Sequence, residues 1–201
     1  MSQNNPMPMF RNPIMEFFAK SNPQIIVFVH LIISSSIFTF GIWILKINLH
    51  GFVIFVLFTL GIFAWTLAEY LIHRFLFHLN GKNRLIKMVH YALHGHHHEN
   101  PTDKNHLFMP PLPLILIVFV LFSFFYTILG DYTFFFFPGF ELGYLIYSLI
   151  HYSIHIKPYN NGIMGKLWLH HCKHHFVNSK KAFGVSNIFW DFLFQTTPEK
   201  K

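Results

Sequence analysis

Histidine is concentrated in the middle of this sequence, in groups whose spacing could hold metal ions. The chain contains 16 histidines, and 14 of them fall between His73 and His175. The densest stretch is "HYALHGHHH", residues 90–98, with five histidines in nine residues. Crowded imidazoles repel one another when protonated, whereas neutral imidazole is a good ligand for iron, zinc, copper or nickel. Metal binding would hold these rings neutral and give one nitrogen of each a partner.

Four groups of histidines have spacings that helices can bring to a common site. In "HGHHH" and "HHCKHH" histidines recur at i, i+3 and i+4, and in "HYSIH" at i and i+4, so each set shares one helix face. His73 and His78 in "HRFLFH" are i and i+5, so we expect the helix to end or distort between them, or each to serve a different metal. Ten histidines in four groups fit two metal ions better than one. The candidate ligands are His73, His78, His94, His97, His98, His151, His155, His171, His174 and His175.

Several polar residues near these groups are candidates for supporting roles. The second nitrogen of a metal-bound histidine usually donates to a carboxylate or a carbonyl. Glu69, one helical turn before His73, is the first candidate acceptor. Further candidate acceptors, with less to distinguish them, are Glu99, Asp103 and Asp191.

The remaining histidines do not follow the repeated spacings, and we expect structural or orienting roles for them. His30 and His50 are predicted to be structural. Orienting or structural roles are predicted for His90, His96, His106 and His170. Cys172 lies inside a ligand group, but the pattern is complete without it, so it is not predicted to bind metal. Glu141 is an acid inside an apolar stretch, and we interpret it as a helix-packing residue.

The composition is that of a protein embedded in a membrane. Of the 201 residues, 53% are hydrophobic and 11% are charged, against roughly 25% charged residues in an ordinary soluble domain. The single cysteine excludes a disulfide framework and fits a reducing compartment. The formal charge of +7 does not indicate nucleic acid as a partner, because Lys and Arg are interleaved with apolar runs and not gathered on one face.

Four apolar stretches are long enough to cross a bilayer as helices, which takes about 20 residues each. They cover residues 25–45, 51–72, 112–130 and 132–150. Little more than Asp131 separates the last two, which predicts a tight helical hairpin, and Pro138-Gly139 predicts a kink in the fourth. We therefore predict an all-α integral membrane protein with four transmembrane helices. Its segment 1–24 would be cytosolic, and residues 25–201 would form a single domain.

The basic residues indicate on which side of the membrane the histidines lie. If the N-terminus is cytoplasmic, 14 of the 15 Lys and Arg residues lie on the cytoplasmic side, and only Lys46 is near the other. The positive-inside rule then places both termini in the cytoplasm. The first apolar run is too long for a signal peptide and has no small-residue cleavage site, so we expect it to be retained. Segments 73–111 and 151–201 would form a cytosolic helical cap in which the four histidine groups meet.

These residues resemble the fatty acid hydroxylase superfamily, and within it the fatty acid 2-hydroxylases that act on sphingolipid acyl chains. The segments "HRFLFH", "HYALHGHHH", "PTDKNHLFMPP", "HYSIH", "HHCKHHF" and "FGVSNIFWD" follow one another in the order of that family. The resemblance runs from about Glu69 to Phe194. A single H-x-x-H-H box is a weak signal, whereas four groups in order, with the segments between them, are a strong one.

The resemblance implies a four-helix membrane anchor under a cytosolic cap that holds a dimetal centre, with the ten candidate histidines as ligands. The working metal would be iron, for which zinc can substitute in purified material. The implied reaction is insertion of one oxygen atom from O2 at the carbon next to the carbonyl of an acyl chain. The implied partners are a membrane lipid as substrate and a separate electron donor, cytochrome b5-like or ferredoxin-like with its reductase.

The sequence departs from the family pattern in two places. Eukaryotic members often carry a cytochrome b5 domain before the first span, whereas only about 24 residues precede it here. We therefore expect no haem domain in this chain and electrons from a separate protein. His106 occupies a place where the family commonly has Arg, so the substrate could differ if that Arg seats the head group.

Other functions remain open or are disfavoured by the same residues. A lipid desaturase is the closest alternative, since the same oxidant can remove a second hydrogen, and a sterol or carotenoid hydroxylase is another. A metal transporter needs ligands near the membrane midplane, where the predicted spans offer only His30. A zinc protease is disfavoured because H-E-x-x-H is absent. A non-enzymatic metal-binding membrane protein is the alternative from another class.

Overall fold

The computed structural model describes residues 8–79 and 81–199, and these residues form helices and connecting segments without a β-strand. The α-helices are α1 Pro13–Ala19, α2 Pro23–Thr39, α3 Gly51–Leu71, α4 Arg84–His90, α5 His96–Glu99, α6 Pro111–Leu129, α7 Thr133–Ile156, α8 Gly162–Phe176 and α9 Phe189–Leu193. Three short π-helical turns follow α2, α3 and α4, at Phe40–Ile44, Ile72–Phe77 and Tyr91–Gly95. The all-helical fold predicted from the sequence is confirmed for the described residues.

Within the described residues, three helical stretches are long and apolar enough to cross a membrane: Pro23–Ile44, Gly51–Phe77 and Pro111–Ile156. The third is 46 residues long and consists of α6 and α7 joined by a 3₁₀ turn, Gly130–Tyr132. Gly130 adopts φ 54° there, a value that suits glycine because it has no Cβ. These stretches start and end close to the predicted spans, except at two ends. The second stretch continues past residue 72 to Phe77, and α7 continues past residue 150 to Ile156 and carries His151 and His155.

Helix α7 is the central element and packs against α2, α3 and α6. It continues as a helix through Pro138 and Gly139. Glycine at position 139 permits close packing, because a Cβ there would lie 2.0 Å from the carbonyl oxygen of Phe58 on α3. Gly61 on α3 plays the same part, with a Cβ position 2.1 Å from the carbonyl oxygen of Phe136.

One polar pair is buried between the apolar helices. His30 of α2 and Glu141 of α7 are 1% and 3% exposed, and His30 Nδ1 lies 2.6 Å from Glu141 Oε2. Polar groups that bond across helices hold transmembrane bundles together. The contact agrees with the structural role predicted for His30 and the helix-packing role predicted for Glu141. His50 is also structural, since its side chain accepts a hydrogen bond from the Phe52 amide at the start of α3.

Candidate metal centre

The candidate ligands are carried by the π-helical turn that follows α3 and the residue after it, by the π-helical turn before α5 together with α5 itself, by the end of α7, and by α8. A π-helix closes hydrogen bonds between residues five apart, and one such turn spans Ile72–Phe77. This widened turn explains how His73 and His78 reach the same group although they are spaced i, i+5. Of the two outcomes expected from the sequence, distortion of the helix is the one observed.

The structure gathers the ten predicted histidines into two groups of five. The first, the His73 cluster, consists of His73, His78, His94, His98 and His174. The second, the His151 cluster, consists of His97, His151, His155, His171 and His175. Within each group the candidate ligand atoms all lie within 4.8 Å of one another. Adjacent histidines separate, since His97 and His98 belong to different clusters, as do His174 and His175.

The spacing of the nitrogens fits a metal ion in each cluster. Nε2 atoms in contact are 2.9–3.2 Å apart in the His73 cluster and 2.8–3.1 Å apart in the His151 cluster. Two nitrogens about 2.1 Å from one ion are about 3.0 Å apart at a right angle and about 3.4 Å apart at the tetrahedral angle. The observed spacing matches the right angle, so the donor sets suit a five- or six-coordinate ion and not a tetrahedral structural zinc.

The clusters are electrostatically unsuited to protonated imidazoles. Burial, together with the repulsion of neighbouring imidazoles, lowers the pKa of His78 and of His98 to about 4. Burial also lowers the pKa of His174 to about 3. The pKa values of His94 and His97 lie well below the usual range for the same two reasons. All these rings are therefore neutral near pH 7, which is the form that binds metal.

Backbone carbonyls orient two ligands of the His73 cluster. His73 Nδ1 donates to the carbonyl oxygen of Phe183 at 2.5 Å, and His174 Nδ1 donates to that of Lys181 at 2.7 Å. A proton held on Nδ1 leaves the lone pair of Nε2 facing the other imidazoles, as a metal ligand requires. In the His151 cluster, by contrast, the Nδ1 atoms of His97, His171 and His175 are buried without a hydrogen-bond partner among the described residues.

Glu69 does not accept a hydrogen bond from a candidate ligand, so its predicted contact was wrong. Its Oε1 accepts from the amides of Val185 and Ser186, at 2.6 and 2.8 Å, and its other oxygen bonds the Ser186 hydroxyl. The carboxylate therefore fixes the segment whose Phe183 carbonyl orients His73, and its effect on the ligand is indirect.

Asp191 supports the same segment from the other side. It accepts hydrogen bonds from the amides of Phe183 and Gly184 and from the hydroxyl of Thr196. Its Oδ2 also lies 3.0 Å from His170 Nε2. This contact gives His170 a structural role, which is one of the two roles that the sequence predicted for it.

A smaller group of titratable side chains lies beside the clusters. Asp103 Oδ2 contacts His106 Nδ1 at 2.7 Å and His96 Nε2 at 3.4 Å, and His106 Nε2 lies 3.1 Å from Glu16 on α1. These three, His96, Asp103 and His106, are close enough to share an ion. Hydrogen bonds and ion pairs already engage the same atoms, so we assign the group a structural role that ties α1 to the turn before α6. Glu99 is exposed, and Cys172 is a free thiol outside both clusters.

An apolar cavity of about 480 Å³ adjoins both clusters. His94 of the His73 cluster and His97 and His151 of the other contribute to its wall. Helix α1 covers the cavity with Ile14, Met15, Phe18 and Ala19, and the start of α6 adds Leu112, Pro113 and Ile117. None of the phenylalanines of α6 and α7 lines it. Helix α1 is too short to have a periodicity that would reveal it.

Comparisons with known proteins agree with this architecture. Residues 58–196 match the model of the fatty acid hydroxylase family. The chain is 42% identical over 152 residues to human "Fatty acid 2-hydroxylase", covering 72% of this chain and 40% of that protein. It is 35% identical over 143 residues to "Dihydroceramide fatty acyl 2-hydroxylase FAH1" of Arabidopsis thaliana, covering 71% of this chain and 60% of that protein.

A solved structure is similar over nearly the whole chain. It is described as "Full length scs7p (only hydroxylase domain visible)" and matches with a TM-score of 0.84 at 30% identity, covering 94% of this chain and 71% of that one. The chain spans about two fifths of the length of the human relative. A family match over more than half of the chain and a similar fold agree with the histidine pattern, and the chain belongs to the fatty acid hydroxylase family.

Proposed function

We propose that this protein is a membrane dimetal monooxygenase that hydroxylates the acyl chain of a lipid at the carbon next to the carbonyl. The observation that carries the proposal is the contact between two five-imidazole clusters and one apolar cavity. The cavity volume of about 480 Å³ lies within the range of small-molecule sites. A hydrocarbon chain placed there would lie directly against the candidate ligands.

The proposed metal is iron in both clusters, with O2 as co-substrate and zinc as a substitute in purified material. An unactivated C–H bond is not broken by acid–base side chains, and iron would supply the redox chemistry that activates O2. Imidazole is a suitable iron ligand, and the right-angle spacing of the nitrogens suits its higher coordination numbers. The ten histidines named above are the proposed ligands.

The chain itself would bind the substrate, exclude water and set the position of attack. Most of the cavity wall is apolar, so it favours the acyl chain over water. Tyr147 and Ser148 also line it, one helical turn before His151, and the Tyr147 ring stacks on the His151 ring with centroids 5.7 Å apart. A substrate carbonyl bound to these hydroxyls would hold its neighbouring carbon at the metal centre. This placement supports reaction at C2.

The proposed topology has four spans, with both termini and the clusters on the cytoplasmic side. The run Pro111–Ile156 contains 46 residues, which as one straight helix would extend about 69 Å, whereas a bilayer core is about 30 Å thick. The turn at Gly130 divides the run into two lengths that each suit one crossing. The distribution of Lys and Arg supports the cytoplasmic assignment.

The proposed substrate is a sphingolipid or a fatty acid destined for one. Relatives carry names that specify this chemistry, including "Ceramide very long chain fatty acid hydroxylase scs7" of Schizosaccharomyces pombe, 38% identical over 143 residues. His106 lines the cavity at the place where the family commonly has Arg. The proposal therefore allows a lipid head group different from the one that relatives with Arg accept.

Expression in a host without 2-hydroxy lipids, under labelled dioxygen, tests the proposal. We expect one oxygen-18 atom at C2 of an acyl chain and no such product from a His94→Ala variant. Label that arrives from water instead would contradict the proposal. A lipid that has lost two hydrogens would show a desaturase, and unchanged lipids with full metal occupancy would favour a non-enzymatic metal-binding protein.

A further inference from the structure

A second hollow meets the His151 cluster through different imidazoles from the apolar cavity. This hollow has a volume of about 210 Å³, and its wall includes His155, His171 and His175. The apolar cavity touches the same cluster through His97 and His151. The cluster is therefore approached from two sides, and the side that the acyl chain would occupy leaves the other free for a different partner.

The rim of the hollow combines positive charge with exposed apolar surface. Lys157, after the end of α7, lines it, as do Trp168 and Phe176 of α8. The Phe176 side chain is 72% exposed. Lys166 and Leu169 are also exposed on α8. Their helical spacing places them on the same outer face as Phe176. The inner face of the same helix carries the cluster ligands His171 and His174.

Acidic side chains do little to offset this charge. In the described parts of 73–111 and 151–199 there are ten Lys and Arg residues and four carboxylates. Asp103 and Asp191 are buried, which leaves Glu99 and Glu199 exposed. Among the described residues, the wall of the hollow contains Lys157 and no carboxylate, so it would attract an acidic partner and speed its association.

We propose that this face, defined by the hollow together with Lys166 and Leu169, docks an acidic one-electron carrier protein. The inference rests on the proposed function, which requires two electrons for each O2. A carrier domain seated at the hollow would contact the imidazoles of the His151 cluster without entering the substrate cavity. Charge complementarity around an apolar centre is the arrangement expected of a transient interface.

The electron balance requires two encounters for each turnover. Each carrier molecule gives up one electron. Two carriers supply two of the four electrons that O2 takes up, and the C–H bond that is oxidised supplies the other two. One oxygen atom becomes the hydroxyl of the product, and the other leaves as water with two protons taken from solvent. Because each carrier must leave before the next binds, a weak and salt-sensitive contact suits the task better than a permanent one.

Binding measurements on the full chain in nanodiscs of pure phosphatidylcholine test the proposal. The probes are the haem domain of a cytochrome b5 and a plant-type ferredoxin, each titrated at several salt concentrations. The variant Lys157→Glu with Lys166→Glu should weaken binding of at least one probe about tenfold at low salt and flatten its salt dependence. The matched variant Lys82→Glu with Lys87→Glu changes the same number of exposed charges outside the hollow. Its affinity for each probe should stay within about twofold of that of the unmodified protein.

The other outcomes overturn the proposal. Equal losses of affinity in both variants would show that the carrier is attracted by the overall positive charge and not by this face. No loss of affinity in the first variant would show that the carrier docks elsewhere. If the first variant changed only the binding of nanodiscs to vesicles of anionic phosphatidylserine, the face would be a lipid contact. Product analysis is measured separately, so a salt-sensitive docking face without hydroxylated lipid would count against the proposed function and not against the docking face.

Discussion

His97 and His98 are neighbours in the sequence, yet their imidazoles belong to different clusters. His97 Nε2 lies 3.0 Å from His175 Nε2, whereas His98 Nε2 lies 3.0 Å from His94 Nε2. On a helix, adjacent side chains diverge by about 100°, so one turn of α5 can serve two ions. This divergence makes the two sites separable by mutation.

Replacing His98 or His97 should each remove about one metal equivalent. His98→Ala takes a donor from the His73 cluster and His97→Ala takes one from the His151 cluster, so the loss should be partial in each and nearly complete in the double variant. Metal content by mass spectrometry, after dialysis against a weak chelator, measures this. His90→Ala is the control because His90 belongs to neither cluster. Loss of both ions in each single variant would show that the clusters fill only together.

Glu69→Gln should weaken metal binding although Glu69 contacts no candidate ligand. The amide that replaces the carboxylate accepts less strongly from the Val185 and Ser186 amides, which loosens the segment that orients His73. Changes in such supporting contacts cost about 10- to 100-fold in metal affinity. Competition with a chromogenic chelator measures the affinity, and Glu99→Gln, at an exposed position, is the control. Equal affinity in the two variants would refute the indirect role of Glu69.

Gly139→Ala should destabilise the membrane bundle, because the added methyl group would overlap the carbonyl oxygen of Phe58 at 2.0 Å. Overpacking of this kind costs about 1–3 kcal/mol. The midpoint of thermal unfolding in detergent should fall, whereas Gly51→Ala, which meets nothing within 4 Å, should leave it nearly unchanged. If the two variants have the same midpoint of thermal unfolding, α3 and α7 do not pack as described.

Acid should destabilise the metal-free protein in a defined range. Burial lowers the pKa of His78 and of His98 from 6.5 to about 4, so below pH 6.5 the unfolded chain binds protons that the folded one does not. Stability then falls as the pH drops from about 6.5 to 4. Thermal unfolding at pH 7.5, 6, 5 and 4 measures the effect, and a His78→Gln variant should show a shallower decline. A flat profile would mean that these rings are not buried as neutral groups.

The sequence predicted the helices, and it selected the histidines that come together in the structure, because both depend on local patterns. The apolar runs fixed the long helices to within a few residues, apart from the extension of α7 through His155. The i, i+3, i+4 and i, i+4 spacings selected eight of the ten histidines that meet in the structure, and the i, i+5 pair His73 and His78 supplied the other two.

Contacts between distant residues were beyond the reach of these patterns. Glu69 bonds to Val185 across 116 residues of sequence, and no spacing rule predicts that contact. The π-helical turn that brings His73 and His78 together depends on tertiary packing, so the sequence offered only two possible outcomes. Helix α1 has seven residues, too few for a reliable pattern, and therefore neither it nor its part in the cavity wall was foreseen.

The most direct measurement locates the metal ions themselves. Protein expressed with iron should give two anomalous scattering peaks at the iron absorption edge, one inside each five-imidazole cluster, with nitrogens at about 2.1 Å. Peaks outside the clusters, a single shared peak, or imidazoles turned away from the metal would contradict the account of a dimetal centre beside a lipid cavity.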